Sequence, residues 1–228
     1  AREFVDRWIY FMNQDQLLDH WRQEEQVPFE GWDFAYLKGR MLEDKPSWSY
    51  MERAKTLLQQ SKVSLDMDTG GGEKLLAMRD YWSEHMYVTE EYPPNIKLAG
   101  ERLTPLGVTL IPMVTTDDAA MPFASDTFDL ILNRHGAFNC DEIARVLVSG
   151  GTFLTRQVHG LFAHDLVTAF GAEPEYPDAR PEKYVPWLES VGMTILDVKD
   201  WHGNLEFTDV GAIVYYLKAV PWTVPDFS

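Results

Sequence analysis

Between Val63 and Glu73 the chain reads Val-Ser-Leu-Asp-Met-Asp-Thr-Gly-Gly-Gly-Glu: a short β-run, a glycine turn and the start of a helix. Glycines let the backbone bend sharply and approach a ligand with no Cβ in the way. The free N–H groups at the start of the following helix suit an anionic or polar partner. Two phosphate-binding patterns are excluded. A P-loop needs Gly-Lys-Ser/Thr to begin five residues after its first glycine, and Leu75 stands five after Gly70. A Gly-x-Gly-x-x-Gly dinucleotide turn starting at Gly70 and Gly72 would put its third glycine at the same Leu75.

Beyond this segment, short apolar runs alternate with helical patterns. Strands are expected at 63–68, 86–90, 108–114, 128–133, 152–158 and 193–200. Helices are expected at 73–81, 94–106, 141–148, 162–170, 181–191 and 209–217, with Pro94 and Pro181 in first turns and Gly107 and Gly192 at ends. Such alternation predicts an α/β fold, a mostly parallel sheet with helices on both faces. Upstream, Phe4, Trp8, Phe11, Met12, Leu18 and Trp21 recur at helical spacing, and a second helix is expected over 50–60. The expected organisation is an N-terminal helical cap or lid over 1–62, a core over 63–160, and a substrate-side part of the same domain over 161–228. Two readings of the aromatics in Trp32-Asp33-Phe34-Ala35-Tyr36 and Ser47-Trp48-Ser49-Tyr50 stand side by side: a lid over a ligand, or plain core.

Composition narrows the function. Acidic residues number 36 against 20 basic, a net charge of -16 with no run of Lys or Arg, so a phosphate backbone is repelled and nucleic acid is disfavoured as a partner. The single Cys140 excludes an internal disulfide and a multi-cysteine zinc site, no metal site is expected, and a reducing compartment fits. No stretch approaches eighteen apolar residues, and no signal-peptide pattern opens the chain, so the expected setting is the cytoplasm with no membrane partner.

Four segments in order carry a family resemblance. Residues 63–73 resemble motif I of class I S-adenosylmethionine (SAM)-dependent methyltransferases, with Asp66 at the acidic position, Gly70 and Gly72 at two glycine positions, and Asp68 where the first glycine commonly stands. Tyr87-Val88-Thr89-Glu90 is similar to the family's second strand, whose terminal acid holds the cofactor ribose; Glu90 is favoured and Glu91 is the alternative. Thr116-Asp117-Asp118-Ala119 resembles the adenine loop, implying that Asp118 accepts from the adenine amino group and that the Ala119 backbone meets the ring. Residues 142–154, with Gly150 and Gly151, resemble the helix and turn into the fifth strand.

The resemblance implies a Rossmann-like class I methyltransferase fold, S-adenosylmethionine as cofactor and S-adenosylhomocysteine as product. It places Asn133, at the end of the fourth strand, among the cofactor-binding residues. The family's sheet usually closes with an antiparallel last strand. Here that strand is missing, or residues 214–217, read above as helix, form it.

Methyl transfer is an in-line displacement, so alignment and exclusion of water come first, and a base is needed only for a proton of high pKa. His135, just past the fourth strand, is the catalytic candidate, against a purely structural role. His159 is a second. Arg134 and Arg40 are read as ion-pair partners or as carboxylate binders. The expected function is methyl transfer to an O or N of a small molecule. An RNA methyltransferase and a non-catalytic SAM-binding protein are the alternatives.

Overall fold

A computed structural model describes residues 13–29, 34–225 and 227. In chain order its elements are α1 (Gln14–Glu25), β1 (Met41–Glu43), α2 (Tyr50–Leu58), β2 (Val63–Met67), α3 (Glu73–Leu76), β3 (His85–Glu90), α4 (Pro93–Leu103) and β4 (Thr109–Pro112). They continue with β5 (Phe128–Arg134), α5 (Cys140–Val146), β6 (Leu147–Arg156), α6 (His164–Ala169), α7 (Pro181–Ser190), β7 (Leu205–Phe207) and α8 (Val210–Ala219). The chain divides into two compact units, one of residues 47–160 and 177–200, the other of 1–46, 161–176 and 201–228.

In the first unit, five parallel strands lie in the order β4-β3-β2-β5-β6. This is the Rossmann-like α/β arrangement that the alternation of strands and helices predicts. Alternation along the strands sorts the core into two layers. Leu130, Leu132, Met86 and Val88 face α2 and α4 through Ala54, Leu58, Ala99 and Leu103. Leu65, Met67 and Ile131 face α5 and α7 through Ile143, Val146 and Leu188. The Asp129 carboxylate accepts from the Lys62 and Val63 N–H groups at 2.9 Å each, which pins the start of β2 to β5.

The second unit holds the antiparallel pair β1–β7, in which Leu42 faces Glu206, and the contact of α1 with α8. Phe34 packs on Phe29 within its apolar cluster, and the exposed Tyr36 packs on Tyr215. At its centre Arg40 donates to both Glu24 (2.8 Å) and Asp209 (2.6 Å), with Glu24 buried. A Cβ at Gly211 would lie 3.0 Å from both Arg40 and Glu24, so a side chain there would crowd the ion pair. The Asp209 hydrogen bond holds the Arg40 guanidinium well above its ordinary pKa.

Two expectations are corrected, and one open alternative is decided for the helix. Residues 193–200 form no strand among the described residues: Met193 and Ile195 pack inward, but the segment joins no ladder. The fifth strand begins at Leu147, not at 152, because Gly150 and Gly151 lie in a bulge inside it. Phe128 pairs with Leu147 while Leu130 pairs with Thr152. Residues 214–217 are helical, within α8, so they do not form a last strand. The first helix is described from Gln14, capped by a reciprocal Asn13–Gln16 box. Phe4, Trp8, Phe11, Met12, Trp32 and Asp33 lie outside the described residues. No described helix is long and apolar enough to cross a membrane.

Replacing Arg40 with Met leaves the Glu24 and Asp209 carboxylates facing each other without a countercharge. The expected cost is about 2–3 kcal/mol, read as a lower urea midpoint at unchanged slope. An unchanged midpoint would show the triad to be energetically idle.

Candidate functional site

The chain steps outward from β2 to β3 to β4, then returns to place β5 on the other side of β2. Where strand order reverses, the loops leaving the two strands part in opposite directions and open a crevice at their carboxyl ends. Here that crevice lies beyond Met67 and Arg134.

The β2 loop is built on positive φ angles. Asp68, Gly70 and Gly72 sit at 52°, 65° and 80°. Gly72 caps α3, and a Cβ there would lie 2.8 Å from Leu103 Cδ1; one at Gly71 would lie 2.9 Å from Leu98 Cδ2. The loop therefore packs against α4 at a distance only glycine allows. Asp68 adopts its left-handed turn at a cost that Asp and Asn bear better than most residues.

Three carboxylates meet the loop. Glu90, buried at the end of β3, accepts from Gly70 N–H at 2.7 Å through one oxygen, and from Glu91 and Tyr92 N–H at 3.0 and 2.9 Å through the other. Asp66 accepts from the Thr69 hydroxyl at 2.8 Å. Desolvation, opposed by that bond and by the Arg134 charge, pushes Asp66 up to about 6. Asp68 accepts from the Thr115 hydroxyl at 2.9 Å. Desolvation, opposed by that bond and reinforced by the Glu90, Glu91 and Asp66 charges, pushes it up to about 7.

On the β5 side, Asn133 is fully buried. Its Oδ1 accepts from the Thr155 hydroxyl at 2.9 Å and from Gln157 Nε2 at 2.7 Å, while its Nδ2 has no hydrogen-bond partner among the described residues. His135 follows at φ 72°, its N–H donating to the Arg156 carbonyl at 2.8 Å. A Cβ on Gly136 would collide with Asp68 Oδ2 and lie 3.1 Å from Asn133 Nδ2, so Gly136 is the wall against which the Asp68 carboxylate rests. His135 is an exposed residue, yet desolvation of its ring, with the Arg134 and Arg156 charges, pushes the imidazole down to about 4 and keeps it neutral.

The fold thus brings Asp66, Asp68, Gly70, Gly72, Glu90, Asn133 and His135 to one edge of the sheet. Asp118 and Ala119 lie on the loop after β4 and do not join that network. Asp118 is exposed and accepts from Thr116, and the Ala119 carbonyl accepts from Asn139. Arg145 of α5 holds the same loop through the Met121 and Phe123 carbonyls. Sequence reasoning missed Thr115, Thr155, Arg156 and Gln157. No linear signal marked the strand partners: Thr155 and Gln157 share a face with Asn133, and Arg156 pairs with Arg134, only through the register of the assembled sheet.

Residues 65–155 match the model of a methyltransferase domain family. Among solved structures, the chain resembles a Haloferax volcanii protein described as a methyltransferase and solved in complex with the Trm112 methyltransferase activator (16% identity, 76% of this chain and 85% of that one, TM-score 0.51). It also resembles a SAM-dependent methyltransferase from Aquifex aeolicus (17%, 71% and 88%, 0.47) and the YcgJ protein of Bacillus subtilis (20%, 54% and 57%, 0.43). The match thus spans little more than half of the YcgJ chain. No curated protein matches. At these identities the structural likeness shows the fold.

Gly136→Ala is expected to drive the Asp68 carboxylate off its seat, with a loss of about 1–3 kcal/mol in stability. Adding Asp68→Gly removes the group that the new methyl strikes, so the double variant recovers most of that loss. Strictly additive urea midpoints would contradict the contact.

Proposed function

We propose that the protein is a class I S-adenosylmethionine-dependent methyltransferase that transfers the cofactor's methyl group to an oxygen or nitrogen of a small molecule, a reading supported by the match of residues 65–155 to a methyltransferase domain family. The carrying observation is the gathering of Asp66, Asp68 and Glu90 around a glycine turn at the point where strand order reverses.

The residues present fit the cofactor. The orphaned Asn133 Nδ2 is a buried donor without a partner, which is costly unless something accepts from it. The glycines leave the β2 loop backbone open to close approach. Glu90 would hold a ribose hydroxyl through Oε2, which keeps a lone pair beyond the Gly70 N–H bond, while Oε1 is filled by the Glu91 and Tyr92 N–H groups. Gly70 and Gly72 would shape the backbone cradle, and Asp66 and Asp68 would face the ammonium end. Asn133 would complete that end as donor, and Asp118 with the Ala119 backbone would meet the adenine. When bound, the cofactor supplies an electrophilic methyl on a sulfonium.

His135 stands one residue past β5 and is neutral at physiological pH. An imidazole pushed that low binds a proton weakly. It therefore serves as a hydrogen-bond acceptor that orients the nucleophile's N–H or O–H, rather than as a base that fully removes a tightly held proton. The acidic charge and the absence of basic runs support a small molecule over RNA. The free, buried Cys140 thiol supports a reducing, cytoplasmic setting.

The acceptor class is tested with methyl-labelled S-adenosylmethionine offered to a metabolite extract and to total RNA in parallel. Label in the small-molecule fraction, reduced about 10–100-fold by His135→Ala, is expected. Label confined to RNA would replace this reading, and none in either would favour a binding protein.

The buried carboxylates also set a pH dependence. The folded pKa of Asp68, about 7, exceeds the ordinary aspartate value of 3.8, so the native state holds the extra proton between those values. Its contribution therefore favours the fold at low pH and is lost as pH rises through about 7. Asp68→Asn is expected to raise stability by about 1–2 kcal/mol at pH 8 and to change little at pH 4. An equal effect at both pH values would contradict the desolvated carboxylate.

A further inference from the structure

Five arginines among the described residues are half-buried. Three are paired with carboxylates: Arg40 with Glu24 and Asp209, Arg102 with Glu73, Arg145 with Glu142. Arg134 and Arg156 are not. Neither guanidinium makes a hydrogen bond or ion pair among the described residues. They are register partners at the carboxyl ends of the parallel strands β5 and β6, so both side chains leave the sheet on the same face, about 5 Å apart at the backbone.

Two guanidiniums held side by side repel each other, and partial burial makes each costlier to keep charged. One countercharge is near: Asp66, on the same face of β2, attracts Arg134 without forming an ion pair. The Tyr50 hydroxyl and the His135 imidazole, which also act on the pair, are neutral, and the cavity that Arg134 lines holds Asp68 and Lys74 further along the β2 loop. Two cations against one carboxylate leave a single positive charge uncompensated at the open edge of the sheet. The planar forks of adjacent guanidiniums suit a carboxylate or phosphate better than they suit water or a hydroxyl.

We propose that Arg134 and Arg156 form an oxyanion subsite that holds a carboxylate or phosphate of the methyl acceptor, making the substrate an anionic small molecule. This rests on the cofactor reading given above, and the strand order supports the assignment to the acceptor. Glu90 ends β3, and Arg156 ends β6, three strand spacings or about 14 Å away across β2 and β5. The cofactor's ribose lies at the first of these positions and its amino-acid end beside Asp66 and Asp68. The outer strand β6 is left to the acceptor. The assignment also accounts for how a protein of net charge -16 collects an anion: the attraction is local, on two paired strands, not spread over its surface.

The test uses the full chain saturated with S-adenosylhomocysteine and titrated with benzoate, phenyl phosphate and the uncharged isostere benzamide, read by calorimetry. At least one anion is expected to bind at least tenfold tighter than benzamide. Arg156→Gln should remove that preference while leaving S-adenosylhomocysteine affinity within about twofold, and Arg156→Lys should keep part of it. No preference for either anion in the wild type, or a preference surviving Arg156→Gln in a folded protein, would overturn the subsite. A tenfold loss of S-adenosylhomocysteine affinity in Arg156→Gln would assign the pair to the cofactor's own carboxylate and overturn it equally. Should the wild type bind no S-adenosylhomocysteine, the cofactor reading fails. The same three probes on the free protein then decide the subsite alone, by the same tenfold criterion.

Discussion

Desolvated carboxylates gathered at the end of a parallel sheet are the interaction on which the rest of this structure depends. Asp66 and Asp68 both lie where burial disfavours their charge, and Glu90 is buried beside them. Such groups persist only where nearby donors or charges compensate them. The fold supplies this compensation locally. The Thr69 and Thr115 hydroxyls hold the two aspartates, while the N–H groups of Gly70, Glu91 and Tyr92 hold the glutamate. The glycine turn exists in the form it does because those N–H groups must point inward. Gly136 exists because the Asp68 carboxylate fills the space a side chain would need.

The parallel sheet was legible because each buried strand is a short apolar run, and each crossover helix shows helical spacing between a proline or cap and a glycine. Where that reading failed, the reason was pairing. Residues 193–200 alternate as a strand does, and Met193 and Ile195 do turn inward. Alternation fixes which face a residue takes, but it does not create a neighbouring edge with which to exchange hydrogen bonds. The glycine pair at 150 and 151 misled in the opposite way. A turn before a strand and a bulge inside one need the same backbone freedom, so composition could not separate them.

The proposed cofactor side of the site was readable for a related reason. It is made by consecutive residues whose backbone conformation is demanded locally, and Asp66, Asp68, Gly70 and Gly72 announce themselves in one run. The proposed acceptor pair, and Asn133 at the edge of the proposed cofactor site, depend on residues that meet only through strand register. Asn133 finds Thr155 and Gln157, and Arg134 finds Arg156, across 22 to 24 positions of sequence. None of these pairs has a spacing that a linear pattern would mark. His135 stood out as a candidate in the sequence, but its neutrality was not foreseeable, because desolvation and the two guanidiniums that set it belong to the assembled sheet edge.

The most direct test of the account is a calorimetric titration of the protein with S-adenosylhomocysteine and, in parallel, with NAD. Saturable one-to-one binding of S-adenosylhomocysteine, abolished by Glu90→Ala, with no heat from NAD, is the predicted result. Binding of NAD, or no binding of S-adenosylhomocysteine by a folded wild-type protein, would contradict the assignment of the carboxylate-lined crevice to an adenosyl cofactor.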